Sequence, residues 1–146
     1  MGNKIKEFTG MKASKNPTQR KIKKLKHQAD LLFYKLTCIR HPQCLVCETN
    51  KSQTAHHFIY KSQSKTLRYD FRNAIPICNI CHCKHHQAGD PRIVDTIIRK
   101  NGVEWANELY KIKETINKEY RGVSYYENKV NELENLIKKE EKTLWS

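Results

Sequence analysis

The sequence predicts an α+β fold: a small, cysteine-stapled core of two short strands and a helix, flanked by an N-terminal basic helix and C-terminal helices. Three observations predict it. Two Cys-x2-Cys pairs, Cys44/Cys47 and Cys78/Cys81, stand 30 residues apart and close a segment too polar to fold on apolar core alone. Short β-type runs lie between the pairs. Apolar residues on either side recur at spacings of three and four, the period of amphipathic helices.

Residues 1–15 have only Ile5, Phe8 and Met11 as large apolar side chains and are expected to be a basic, disordered arm. In 16–37, Asn16 suits an N-cap and Pro17 a first helical position. Ile22, Leu25, Ala29, Leu32 and Leu36 then mark a basic amphipathic helix over 17–36. Segment 38–89 is the core, with all six cysteines and six of the seven histidines. Strands are expected over 54–59 and 74–77, and a helix from Asn79 past His86 that ends by Gly89. Segment 90–146 is a helical extension. Asp90-Pro91 opens a helix to about Lys100, Asn101-Gly102 ends it, and a third long helix covers 103–117. Tyr126, Val130, Leu133 and Ile137 form a last stripe, too short for an independent coiled coil and expected to cover another helix, such as the one bearing Ile22 to Leu36.

Lys+Arg 28 against Asp+Glu 15 gives a formal net charge of +13. The first 37 residues hold ten bases and two acids, 38–99 nine and four, and 100–146 nine of each. A basic front and a neutral rear point to a polyanion, with nucleic acid preferred over a merely solvated surface. Arg20, Lys21, Lys23, Lys24 and Lys26 crowd the first half of the first helix, where cations oppose the helix dipole. That placement suits phosphate contact better than helix stability. Mean hydropathy is −0.82. No apolar run approaches the roughly 20 residues of a membrane helix or the roughly 7–15 of a signal-peptide core, so no membrane association is expected and the expected compartment is a reducing cytoplasm.

Two Cys-x2-Cys knuckles supply four thiolates for one closed, tetrahedral, structural zinc site. Redox thiols or disulfides are the competing reading, and His85 or Cys83 could replace one ligand. Cys38 and Cys83 are otherwise ordinary thiols.

Between the knuckles lie His56-His57 and Asn73, and His82, His85 and His86 follow. Successive strand residues face opposite ways, so one of His56 and His57 can reach a metal while the other faces a neighbouring substrate position. His82 and His86, four apart, share a helix face. One strand histidine and two helical ones make a neutral imidazole set for a divalent ion with open positions, leaving the other strand histidine as a general base oriented by the Asn73 amide. His27, His41 and His85 are read as surface or satisfied core residues.

The order Cys-x2-Cys, His-His, Asn, Cys-x2-Cys-His, His resembles the HNH endonucleases, whose active unit is a ββα-metal fold, over residues 44–86. By that resemblance His56, His82 and His86 hold the catalytic divalent ion, His57 is the base and Asn73 orients it. Family practice admits Mg2+, while three histidines favour Mn2+, Ni2+ or Zn2+. The continuation through Ile97-Ile98 and Gly102-Val103-Glu104-Trp105-Ala106 is similar to the phage lambda NinG (Rap) recombination endonucleases. This implies a DNA endonuclease acting on branched DNA such as Holliday junctions and D-loops, in a host cytoplasm if phage-encoded, and leaving 5′-phosphate and 3′-hydroxyl ends. Arg68 and Arg72 are candidates for clamping the phosphate, and Arg20, Lys21, Lys23 and Lys24 for holding the DNA backbone.

Three alternatives stay open: a general nicking or restriction-type HNH enzyme, a non-catalytic zinc-ribbon DNA-binding protein, and a scaffold using the Tyr126–Ile137 stripe as a dimer seam. A homodimer is compatible with the nuclease reading, since junction resolution needs two symmetric cuts.

Overall fold

A computed structural model of the protein describes residues 16–115 and 119–146. The arm expected over 1–15 and the last two residues of the helix expected over 103–117 lie outside them. The fold is α+β and mostly helical, with one two-stranded sheet.

Helix α1 (Pro17–Arg40) starts where its cap predicts, the Asn16 side chain accepting from Gln19 N at 2.8 Å. It runs four residues beyond Leu36. Leu36 and Thr37 are buried, Thr37 Oγ1 donates to Phe33 O, and Arg40 is held by Glu140 at 2.9 Å and by the face of Phe71. These are tertiary contacts, which no local periodicity reports. Pro42 then stops the helix.

Strands β1 (Thr54–His57) and β2 (Ala74–Ile77) pair antiparallel, with Thr54 opposite Ile77 and His57 opposite Ala74. β1 is two residues shorter than its apolar run. Asn73 O still accepts from Phe58 N, but the Ile59 backbone is bonded to the Asn73 side chain instead of a strand. Pro76 lacks an N–H and sits on the sheet edge, where its carbonyl takes Leu45 N of the first knuckle. A 3-10 turn (Phe71–Asn73) leads into β2.

Helices α2 (Asn79–His86), α3 (Pro91–Asn101) and α4 (Val103–Glu114) follow within a residue or two of the expected starts, and Gly102, at φ +96°, breaks α3 from α4. Helix α5 (Val123–Leu144) buries all four stripe residues, Tyr126, Val130, Leu133 and Ile137, the last three against the Ala29, Phe33 and Leu36 face of α1. The two helices run parallel, as Lys21–Glu127 and Lys35–Glu141 pair in the same order along both. A second apolar cluster joins the cysteine knuckles to Ile93 and Ile97 of α3, and a third joins Ile59 and Leu67 to Leu109 of α4. The sheet and α2 are therefore braced from both sides, and the histidines they carry are held between α1 and the knuckles.

Candidate metal centre and histidine cavity

The first knuckle is a loop held by its own backbone: Cys44 N donates to Asn50 O, Glu48 N to Cys44 O, and Glu48 takes a positive φ of 55° to close the turn. The second is a helix start. Cys78 caps α2, its sulfur accepting from Cys81 N at 3.4 Å. Together they bring the Cys44, Cys47, Cys78 and Cys81 sulfurs within 4.8 Å of one another, three of the four residues buried. A tetrahedral zinc with sulfurs at about 2.3 Å needs them about 3.8 Å apart, so the set fits one ion such as zinc with no open position. None of the six cysteines is in a disulfide. Hydrogen bonding from Asn50 N–H, with help from Thr49, draws the Cys47 thiol down to about 6. Burial and the neighbouring sulfurs push Cys81 up. Such crowding of like charge is what a divalent cation relieves. Lys100, at the end of α3, fastens the knuckle from outside through Leu45 O, Val46 O and the Glu48 carboxylate.

A second donor set lies beside the knuckles, on the sheet face that His56 shares with Ile75. Ring nitrogens of His56, His82 and His86 lie within 4.8 Å of one another, one from β1 and two from successive turns of α2. Burial, reinforced by the surrounding histidines, drops His56 to about 3, and burial also lowers His82. Both are neutral at pH 7, with lone pairs free for a cation.

His57 points toward α1, its ring stacked on Phe33 at 5.5 Å and edge-on to Tyr34 at 5.8 Å. It nevertheless shares with His56, His82 and His86 a cavity of about 580 Å3. Its Nε2 lies 2.7 Å from the carbonyl oxygen of Arg68. A carbonyl only accepts, so Nε2 carries the proton and, in the neutral ring, Nδ1 carries the lone pair. Burial holds this histidine below its ordinary value, opposed by that same carbonyl.

Asn73 is placed differently from the expectation that its amide orients His57. It is fully buried, accepts from Ile59 N at 2.7 Å and donates to Ile59 O and Leu67 O at 2.9 and 3.2 Å. The amide thus pins the start and the interior of the loop between the strands, and the carbonyl that orients His57 belongs to Arg68, the residue after Leu67. A buried amide with three backbone partners in reach satisfies those first, because each would otherwise be left unpaired.

The two arginines expected to clamp phosphate are already engaged. Arg68 lines the cavity, but its guanidinium grips Asp30 of α1 at 2.6 and 3.1 Å. Arg72 is not among the cavity residues; it pairs with Asp70 at 2.7 Å and Glu108 at 3.3 Å. Of the helix cations, Lys21 bonds Glu127, while Arg20, Lys23 and Lys24 are exposed and have no ion pair among the described residues.

Sequence reasoning missed four neighbours of the site. His85, read as a surface residue, sits 4.7 Å ring to ring from both His56 and His86, and its Nε2 is 3.2 Å from the Tyr60 hydroxyl. Lys61 and Tyr34 line the cavity, and Asp30 stands behind them. The Cys-x2-Cys-His-x2-His-His run held a signal for His85, since His82 is about one turn from both His85 and His86; nothing local marked Asp30. Comparison with family models, with curated proteins and with solved structures returned no significant match.

Proposed function

We propose that the protein is a metal-dependent endonuclease that hydrolyses phosphodiester bonds in DNA at an HNH-type site. The observation that carries this reading is the convergence of His56, His82 and His86 on one point beside a cavity that also presents His57. His56, His82 and His86 would hold a divalent cation, which supplies Lewis-acid stabilisation of the charge that develops on the phosphate and the leaving oxygen. His57 does the proton chemistry. With Nε2–H fixed on Arg68 O, its Nδ1 takes a proton from the attacking water as the new O–P bond forms and the P–O3′ bond breaks. The products are a 5′-phosphate and a 3′-hydroxyl, the leaving oxygen taking its proton from solvent. The cysteine-bound ion is structural, because four protein ligands leave it no open position. Branched DNA is the proposed substrate class on the strength of the resemblance of the chain to phage recombination nucleases.

The test is a cleavage assay with Mg2+, Mn2+, Ni2+ or Zn2+ on duplex, single-stranded, forked and four-way-junction DNA. EDTA-sensitive cutting is expected, and cutting confined to the junction would select the recombination role over a general one. His57→Ala should abolish cleavage and leave binding intact. Binding without cutting under every metal would leave a zinc-stapled DNA-binding protein in its place.

A further inference from the structure

Asp30 is the only buried carboxylate among the described residues, and two cations converge on it. Arg68, whose side chain is 16% exposed, supplies two N–H donors at 2.6 and 3.1 Å and by itself neutralises the carboxylate. Lys61 is then surplus. Its Nζ lies 3.2 Å from Asp30 and 3.3 Å from the Tyr34 hydroxyl, its side chain is 39% exposed, and it lines the cavity that holds His56, His57, His82 and His86. One carboxylate and two cations leave a net positive charge on the cavity wall. Lys61 also stands close enough to His57 to disfavour its protonation. A lysine serving only to tie its loop to α1 would have no reason to sit at the cavity beside an already compensated carboxylate. A partly exposed ammonium on the wall of a cavity that holds a metal-type histidine set has the chemistry of a phosphate contact.

We propose that Lys61 is the residue through which the cavity grips the substrate phosphate, and that Asp30 of α1 is the positioning residue that aims it. The proposal rests on the nuclease reading and moves the phosphate-contact role from Arg68 and Arg72 to Lys61. Asp30 has two routes to the site. It steadies Lys61 directly, and it anchors Arg68, whose backbone carbonyl holds His57.

The experiment uses the full chain loaded with the metal that supports cleavage, together with a fluorescein-labelled 30-mer DNA for binding. Lys61→Met should lower kcat/KM at least tenfold with the thermal midpoint kept, and Lys61→Arg should recover most of that loss. In a His57→Ala background, Lys61→Met should reduce the slope of log affinity against log salt by about one, whereas Lys129→Met, the same charge removed from a helix α5 residue outside the cavity lining, should not reduce it equally. Asp30→Asn should lower kcat/KM, and adding Lys61→Met to it should cost little more, since the lysine has already lost its aim. Cleavage by Lys61→Met within twofold of the parent overturns the phosphate role; strictly additive losses in the double variant overturn the positioning role. A parent that never cuts defeats the nuclease reading instead, and the salt slope alone then decides on Lys61.

Discussion

Asn73 shows how much one buried side chain can hold. Its amide closes three hydrogen bonds to Ile59 and Leu67 with no exposure to water. Asn73→Ala strands these backbone groups at about 1–3 kcal/mol each, part of which local water entry offsets, so a loss of roughly 3 kcal/mol is expected in urea denaturation. The same change frees the loop that carries the Arg68 carbonyl, and in the proposed nuclease role cleavage should fall with it. His56 and His57 make a second prediction at this scale. Both are held below the ordinary histidine value by burial, His56 at about 3. As pH falls, the unfolded chain therefore takes up protons first, so stability is complete above about 6.5 and is lost between about 6.5 and 3. A cation held there in the proposed role would compete with protons for the same lone pairs, which gives the same sign. Melting curves at pH 7.5 and 5.0 should show a clear drop, smaller in His56→Asn.

At the scale of elements, the knuckle pair and the α1/α5 pair do different work. The knuckles join a loop to a helix start across 30 intervening residues, and Lys100 ties them to α3. Protein purified without added metal should hold about one equivalent of zinc, and Cys81→Ser should bring elemental analysis well below half an equivalent, with a lower thermal midpoint. Helix α5 has no side-chain cap and stands on its apolar stripe. Leu133, fully buried against α1, is its centre. Leu133→Ala should cost about 2–5 kcal/mol in chemical denaturation, with the zinc content unchanged because the knuckles belong to a different cluster.

For the whole molecule, the charge asymmetry has a structural counterpart. The neutral C-terminal third lends its acids to α1, where Glu127, Glu140 and Glu141 meet Lys21, Arg40 and Lys35. Arg20, Lys23 and Lys24 remain open on the same helix. In the proposed role these three hold DNA without touching chemistry. Changing all three to Gln should weaken binding similarly for every DNA sequence and reduce the salt slope by about three, with kcat at saturating DNA unchanged.

The sequence by itself determined the helices, the two strands, the knuckles and the histidine trio. Each depends on spacing along the chain: two residues between cysteines, a step of four from His82 to His86, alternation at His56-His57. It also marked the α5 stripe and α1 as its partner. Tertiary structure alone decided which groups hold the site. Asn73 reaches the Ile59 and Leu67 backbone, Arg68 turns to Asp30, 38 residues away, and Lys61 is left on the cavity wall. A lone amide or a scattered cation has no period, and its partner is chosen by the need to pair every buried polar group within reach. That choice exists only once α1 has packed against the sheet.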